Sequence, residues 1–135
     1  NVDAGSDNIS KGIRIFREKY RWTHIHFFKN MEPNDFLRLI KNSKCLIGNS
    51  SVGIRESSFL GVPVVNIGTR QHGRQRASNV IDCEYEKNMI KKSINMQLSQ
   101  KGYESEFIYV NGTAGRKIAD VLATIDLIYH KKITY

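Results

Sequence analysis

The stretch CLIGNSSVGIRESSFLGVPVVNIGTR, residues 45–70, concentrates the chain's chemistry. Gly48 ends one apolar run, where it lets the backbone turn tightly and a ligand approach closely. Ser50 and Ser51 follow at the expected start of a helix. Their hydroxyls would stand beside unpaired backbone N–H groups and the positive end of a helix dipole, a combination suited to an anion and above all to a phosphate. Gly53 keeps the first turn free of side-chain bulk. Glu56 lies five residues past Ser51, about 7.5 Å along a helix axis at about 1.5 Å per residue, within reach of the hydroxyls of a sugar joined to that phosphate. Arg70 ends the next apolar run, and Arg74 and Arg76 share its loop; guanidinium forks match phosphate oxygens better than ammonium does. Each residue also has a plainer role: the serines as an ordinary N-cap, Glu56 as a solvated partner of Arg55, the arginines as a basic loop, His72 as polar surface rather than a proton carrier.

Those residues need a scaffold, and the surrounding pattern supplies strands alternating with helices. Ser6 or Asp7 can cap a helix with Ile9, Ile13, Phe16 and Tyr20 on one stripe and Lys11, Arg14, Arg17 and Lys19 on the other face. THIHFF (23–28) alternates and reads as a strand, and PNDFLRLIKNS (33–43) as a helix with Phe36, Leu37 and Ile40 on one side. KCLIGN (44–49) is a short buried strand, SVGIRESSFLG (51–61) a helix ended by Gly61, and VPVVNIG (62–68) another buried strand. After the loop TRQHGRQRASN come a strand in NVIDCE (79–84) and a helix in EYEKNMIKKSINMQLSQK (84–101) with Met89, Ile90, Ile94 and Leu98 inward. The turn-rich GYESEFIYVNGTAG and a last helix, AGRKIADVLATIDLIYH (114–130), complete the chain. Continuous apolar strands separated by helices argue for a parallel sheet covered on both faces, because parallel strands require crossovers. The fold class is therefore α/β and Rossmann-like. Ligands of such sheets bind at the carboxyl ends of the strands, where GNSS and GTRQHGRQR both fall.

At 135 residues the chain is expected to form one globular unit. Its net charge of +8 favours anionic partners. Cys45 and Cys83 lie in apolar or strand-like runs without metal-ligand spacing, so reduced, buried thiols and a cytoplasmic location are expected. His24 and His26 would share a strand face but have no third ligand at suitable spacing, so no metal site is expected. The absence of a long apolar run and of a basic, apolar leader argues against a membrane span or signal peptide. No nucleic-acid partner is expected, because Trp22, Phe27, Phe28 and Phe36 fall on apparent core faces and no aromatic-basic interleaving marks a stacking platform. The chain lacks an initiator Met, and NVDAGS reads as a strand end running into a helix cap, as in a piece of a longer protein.

GNSSVGIRE followed by FLGVPVVNIGTRQHGR closely resembles the C-terminal domain signature of the UDP-N-acetylglucosamine 2-epimerases, specifically the hydrolysing branch that makes N-acetylmannosamine for sialic-acid-type pathways. NVDAGS and YVNGTAGRKIADVL resemble the same family, so the likeness spans essentially the whole chain. Non-hydrolysing members usually show an Asp-Ser-Gly-Gly turn and a Glu-Arg-Pro-Glu loop here, and this sequence has neither. The resemblance implies a glycosyltransferase-B-type two-domain fold, with residues 1–135 as most of its C-terminal, UDP-binding domain. It implies that Ser50 and Ser51 hold the UDP diphosphate, with Gly48 in the same turn, that Glu56 holds the ribose hydroxyls, and that Arg70 lies near the phosphates. Asn111 and Gly112 of YVNGTAG would close over the nucleotide side. In animal members basic residues at places comparable to Lys11 and Arg14 serve feedback inhibition by a CMP-sialic acid; in this chain a solvated helix face is the expected role.

The implied partners are UDP and UDP-N-acetylglucosamine, with no cofactor, and the implied chemistry is elimination of UDP to a 2-acetamidoglucal followed by hydration to the 2-epimer. Acid and base groups must flank the reacting atoms within hydrogen-bond distance. The family's lie mainly on the N-terminal domain and on a histidine early in the C-terminal one, before Asn1, so the catalytic residues are unknown here and the isolated chain is expected to be inactive. The full-length protein is expected to be a homo-oligomer. The alternatives are a non-hydrolysing epimerase and a nucleotide-sugar-binding domain of a glycosyltransferase, which uses the same architecture and the same acidic grip on ribose.

Overall fold

The computed structural model describes residues 6–20, 24–109 and 111–126. Its contacts form two compact units, 1–31 and 32–135. In the first, α1 (Ser6–Lys19) forms where its apolar period places it, with Asp7 in the first turn and Arg17 and Lys19 in the last, each complementing the helix dipole. The stripe itself is open: Ile9 is 65% and Ile13 43% exposed. Lys11 and Arg14 are exposed as well. Phe16 and Tyr20 bring their rings to 4.8 Å, and the Arg17 guanidinium lies 5.0 Å above Phe27.

Residues 24–28, expected as a strand, do not form one. Alternation meets only half the requirement, since a strand also needs a neighbour for its N–H and C=O groups, and these residues join no sheet. Phe27, Phe28 and Phe36 are all exposed, against the core placement expected of them, and so are His24 and His26. Trp22 lies outside the described residues.

In the second unit, α2 (Pro33–Lys41) opens with Pro33, whose missing N–H costs nothing in a first turn, and buries Ile40. The sheet follows: β1 (Leu46–Gly48), β2 (Val64–Ile67) and β3 (Val80–Cys83), all parallel in that order, with Leu46 opposite Val64 and Val64 opposite Val80. This is the expected α/β architecture. Val64 and Val65 sit at its centre, essentially without solvent contact; each such side chain contributes roughly 1.5–3 kcal/mol by burial.

The helix expected over 51–61 is divided into a 3₁₀ turn (Ser51–Gly53) and a short α3 (Glu56–Leu60). Val52 and Ile54 are β-branched and flank a glycine, a weak helical sequence. Gly53 also packs so closely on the sheet that a Cβ there would lie 3.0 Å from Val64 Cγ1 and 3.4 Å from Leu46 Cδ2. The tighter turn makes that approach, through bonds from Gly53 N to Ser50 O and from Ile54 N to Ser51 O. Gly61 ends α3 in the left-handed region, as its position predicts.

Next, α4 (Lys87–Leu98) packs on β2 and β3 with a face that keeps only part of the one expected, Ile90 and Ile94 being partly buried. Met89 and Leu98 are 46% and 52% exposed, while Ser93 and Gln97 are buried. Gln97 Nε2 donates to the carbonyls of Val64 at 2.7 Å and Asn79 at 2.9 Å, and its Oε1 accepts from the Tyr103 hydroxyl at 2.8 Å. The Asn79 carbonyl also accepts from Val64 N at 2.8 Å, so the amide serves a second lone pair there, which an apolar residue could not do. The last helix, α5 (Ala114–Thr124), stops at an extended Ile125, short of the expected end, and residues 127–130 lie outside the described ones.

Candidate functional site

The carboxyl ends of β1 and β2 carry most of the residues singled out by sequence. Gly48 closes β1 with a φ of 144°, a conformation side-chain-bearing residues rarely adopt. The exposed Ser50 is extended (φ −74°, ψ 143°), and its Oγ accepts a long bond from Val52 N at 3.4 Å. Ser51 is partly buried, and its carbonyl accepts from Ile54 N at 3.0 Å and Arg55 N at 2.9 Å. With α3 only five residues long, the macrodipole invoked for these serines is small. What the turn offers an anion is hydroxyls and local N–H groups.

Glu56 is the first residue of α3 and partly buried; its Oε2 is buried without a hydrogen-bond partner. Arg70 is exposed in the turn after β2. Gly48 thus ends β1, Ser50 and Ser51 form the turn after it, Glu56 opens α3, and Arg70 lies in the turn after the neighbouring strand β2. Asn111 and Gly112 belong instead to the entry of α5, where Asn111 Oδ1 accepts from Thr113 N at 3.0 Å and from Thr113 Oγ1 at 2.7 Å, and Gly112 has a φ of 73°. The segment before them is tied toward the loop after β2 by the bond from Tyr109 Oη to Gln75 O at 2.7 Å.

Sequence reasoning missed a polar row behind these strand ends. Asn66 on β2 stands opposite Gly48 on β1 and Asp82 on β3. Asn66 Nδ2 donates to Asp82 Oδ1 at 2.6 Å, and Arg76 Nε donates to Asp82 Oδ2 at 3.0 Å. Partial burial pushes the Asp82 carboxyl up, but the hydrogen bonds from Arg76 and Asn66 and the charges of Arg76 and His72 outweigh it and hold it below its usual range. Arg76 also donates to the carbonyls of Gln71 and Arg74, so its guanidinium is committed to the fold rather than offered to a phosphate. The signal was present: Asn66 and Asp82 interrupt VVNI and VIDC at the same register.

Both cysteines are free, Cys83 buried and Cys45 partly so. Burial raises each thiol, against weaker lowering by a Val65 backbone bond at Cys45 and a Ser93 bond at Cys83, where the Asp82 and Glu84 charges raise it further. They are neutral packing groups, not nucleophiles. Among the described residues no group of three or more His, Cys, Asp and Glu could hold a metal ion, and no helix is long and apolar enough to cross a membrane.

The family model of UDP-N-acetylglucosamine 2-epimerase matches residues 1–123. The chain belongs to that family. Within the UDP-N-acetylglucosamine 2-epimerase family the fold is glycosyltransferase-B-like, in keeping with the parallel sheet and its helices. The chain is 41% identical over 101 residues to the polysialic acid biosynthesis protein P7 of Escherichia coli, covering 75% of this chain and 25% of that protein. It is 31% identical over 125 residues to a UDP-N-acetylglucosamine 2-epimerase of Neisseria meningitidis, covering 90% of this chain and 32% of that one. Over 57 residues, 42% of this chain and 15% of the other, it is 51% identical to a GDP/UDP-N,N′-diacetylbacillosamine 2-epimerase (hydrolyzing) of Campylobacter jejuni. The first two alignments span a quarter to a third of the relatives' length.

Proposed function

We propose that this chain is most of the C-terminal, UDP-binding domain of a hydrolysing UDP-N-acetylglucosamine 2-epimerase, which converts its substrate to N-acetylmannosamine and UDP. In this reading the serine turn holds the diphosphate, Glu56 the ribose hydroxyls, and Arg70 adds charge at the phosphate end. Asn111 and Gly112 close the nucleotide side. The observation that carries it is Glu56: a partly buried carboxylate with an unpartnered oxygen, at the start of the helix that follows the serine turn, in a chain of this family. A buried acceptor without a donor is costly, and the two hydroxyls of a ribose are donors of the right kind.

The chemistry follows from what the turn stabilises. The C1–oxygen bond of the sugar breaks as a proton leaves C2, giving a 2-acetamidoglucal and UDP; water then adds across the double bond, and the 2-epimer results. Hydroxyl and N–H donors lower the barrier to the first step by stabilising charge on the departing diphosphate. The hydrolysing outcome is supported by the Campylobacter relative, whose name carries it. That name also makes a diacetylated amino sugar on UDP the second candidate substrate.

Calorimetric titration of UDP is expected to show binding that Ser51→Ala and Glu56→Ala each weaken by about 1–3 kcal/mol, the range for a lost hydrogen bond to a charged group. The whole protein is expected to release free N-acetylmannosamine and UDP. Recovery of UDP-N-acetylmannosamine instead would mean the non-hydrolysing reaction. UDP binding that neither substitution touches would remove the site.

A further inference from the structure

We propose that Gln71 is a positioning residue for the nucleotide site, aiming the Ser50 N–H by holding the carbonyl of Asn49; the inference rests on the UDP-binding reading above. Gln71 lies in the loop after β2 and is 4% exposed, yet its side chain reaches out of that loop. Its Nε2 donates to Asn49 O at 2.8 Å, across 22 residues of sequence. The Asn49 carbonyl and the Ser50 N–H belong to one planar trans peptide and point in opposite directions. Fixing the carbonyl on Gln71 therefore fixes the direction of the N–H at the head of the serine turn. The turn needs such a restraint, because Gly48, just before it, is the most permissive of residues and the Ser50 Oγ bond to Val52 N is long.

The holder is itself held. Arg76 Nη1 donates to the Gln71 carbonyl at 2.8 Å, Arg76 pairs with Asp82, and Asp82 accepts from Asn66. Link by link, the row across β2 and β3 ends on the peptide before Ser50. A second observation separates this from ordinary packing. Gln71 Oε1 is buried and has no hydrogen-bond partner. An apolar side chain of the same length would avoid the orphaned Oε1 but would take this donor from Asn49 O, so among the described residues the bond to Asn49 is the favourable contact that the amide makes. A donor held in place before the ligand arrives need not be ordered when it binds.

The test compares UDP with uridine on the whole protein, by calorimetry for UDP and ligand-observed NMR for the nucleoside. Gln71→Met keeps the volume and removes the donor. UDP affinity is expected to fall about tenfold while uridine affinity stays within about twofold, because only the phosphate contacts depend on the aimed N–H. Arg76→Met, which breaks the next link, is expected to give the same selectivity with a fall of about threefold, and it decides the matter if the Gln71→Met protein does not fold. Parallel loss of UDP and uridine, or no loss of either, overturns the proposal. If the unsubstituted protein fails to bind UDP, the nucleotide reading falls and this role with it. If it binds and the variants bind equally well, only the positioning role falls.

Discussion

Gly61 and Gly68 share a left-handed backbone, with φ of 65° and 75°, but not their surroundings. A Cβ on Gly61 would lie 2.2 Å from the backbone oxygen of Tyr103, whose N–H is bonded to Gly61 O at 3.1 Å. A Cβ on Gly68 would meet the ring of Tyr85 at 2.2–2.3 Å, but that ring is exposed and free to swing. Both alanine variants incur the left-handed penalty of about 1–2 kcal/mol, and only Gly61→Ala must also displace backbone. Denaturant unfolding is expected to show a loss of about 3 kcal/mol or more for Gly61→Ala and about 1–2 kcal/mol for Gly68→Ala. Equal losses would show that the Tyr103 segment yields freely. Gly61 was legible as a helix stop, and Gly48 and Ser50 as the strand end and turn that follow it, because those features depend on near neighbours. Tyr103 against Gly61, and Gln71 against Asn49, depend on contacts between distant segments that no local pattern encodes.

An element is legible when its own period defines it and obscure when its partner does. α4 shows both. Its helical span is evident, but it starts at Lys87 because Glu86, outside the usual set of capping residues, accepts from Asn88 N at 2.9 Å and Met89 N at 2.7 Å. Its buried face follows the carbonyls of the sheet rather than its own methionine and leucine, and residues 24–28 lack the neighbour that would make them a strand. The two backbone N–H bonds hold the Glu86 carboxyl below its usual value of 4.5, against slight desolvation. A carboxyl depressed in the folded state adds stability that is complete above its unfolded value and is lost as pH falls through the folded one. The gap in thermal midpoint between the unsubstituted protein and Glu86→Ala is therefore expected to be full at neutral pH, to shrink below pH 4.5 and to close in stronger acid. Glu86→Gln, which keeps an acceptor, should lose less. Thermal unfolding across that range checks this, and a gap that ignores pH would mean the carboxylate is not the cap.

Over the whole molecule, a net charge of +8 says that anions are attracted but not where. The structure divides the question. Arg55 and Arg74 line a surface depression of about 540 Å³ with Tyr109, and both join the loops proposed to hold the nucleotide through backbone bonds, Arg55 N to Ser51 O at 2.9 Å and Arg74 N to Gln71 O at 3.3 Å. Lys101 lies near Tyr103, which meets Gly61 before β2 begins. The four residues of β2, at about 3.3 Å each, put that end about 13 Å from the carboxyl edge. The Debye length is about 8 Å at physiological ionic strength, so a charge at Lys101 is screened from a phosphate at the serine turn while one at Arg74 is not. Arg74→Glu is expected to weaken UDP binding about tenfold at roughly 50 mM salt and by much less near 0.5 M, whereas Lys101→Glu should change it by less than about twofold throughout. Should the two variants behave alike, attraction would follow total charge rather than the loops at the sheet's edge. A long polyanion would then fit the surface better than a single diphosphate.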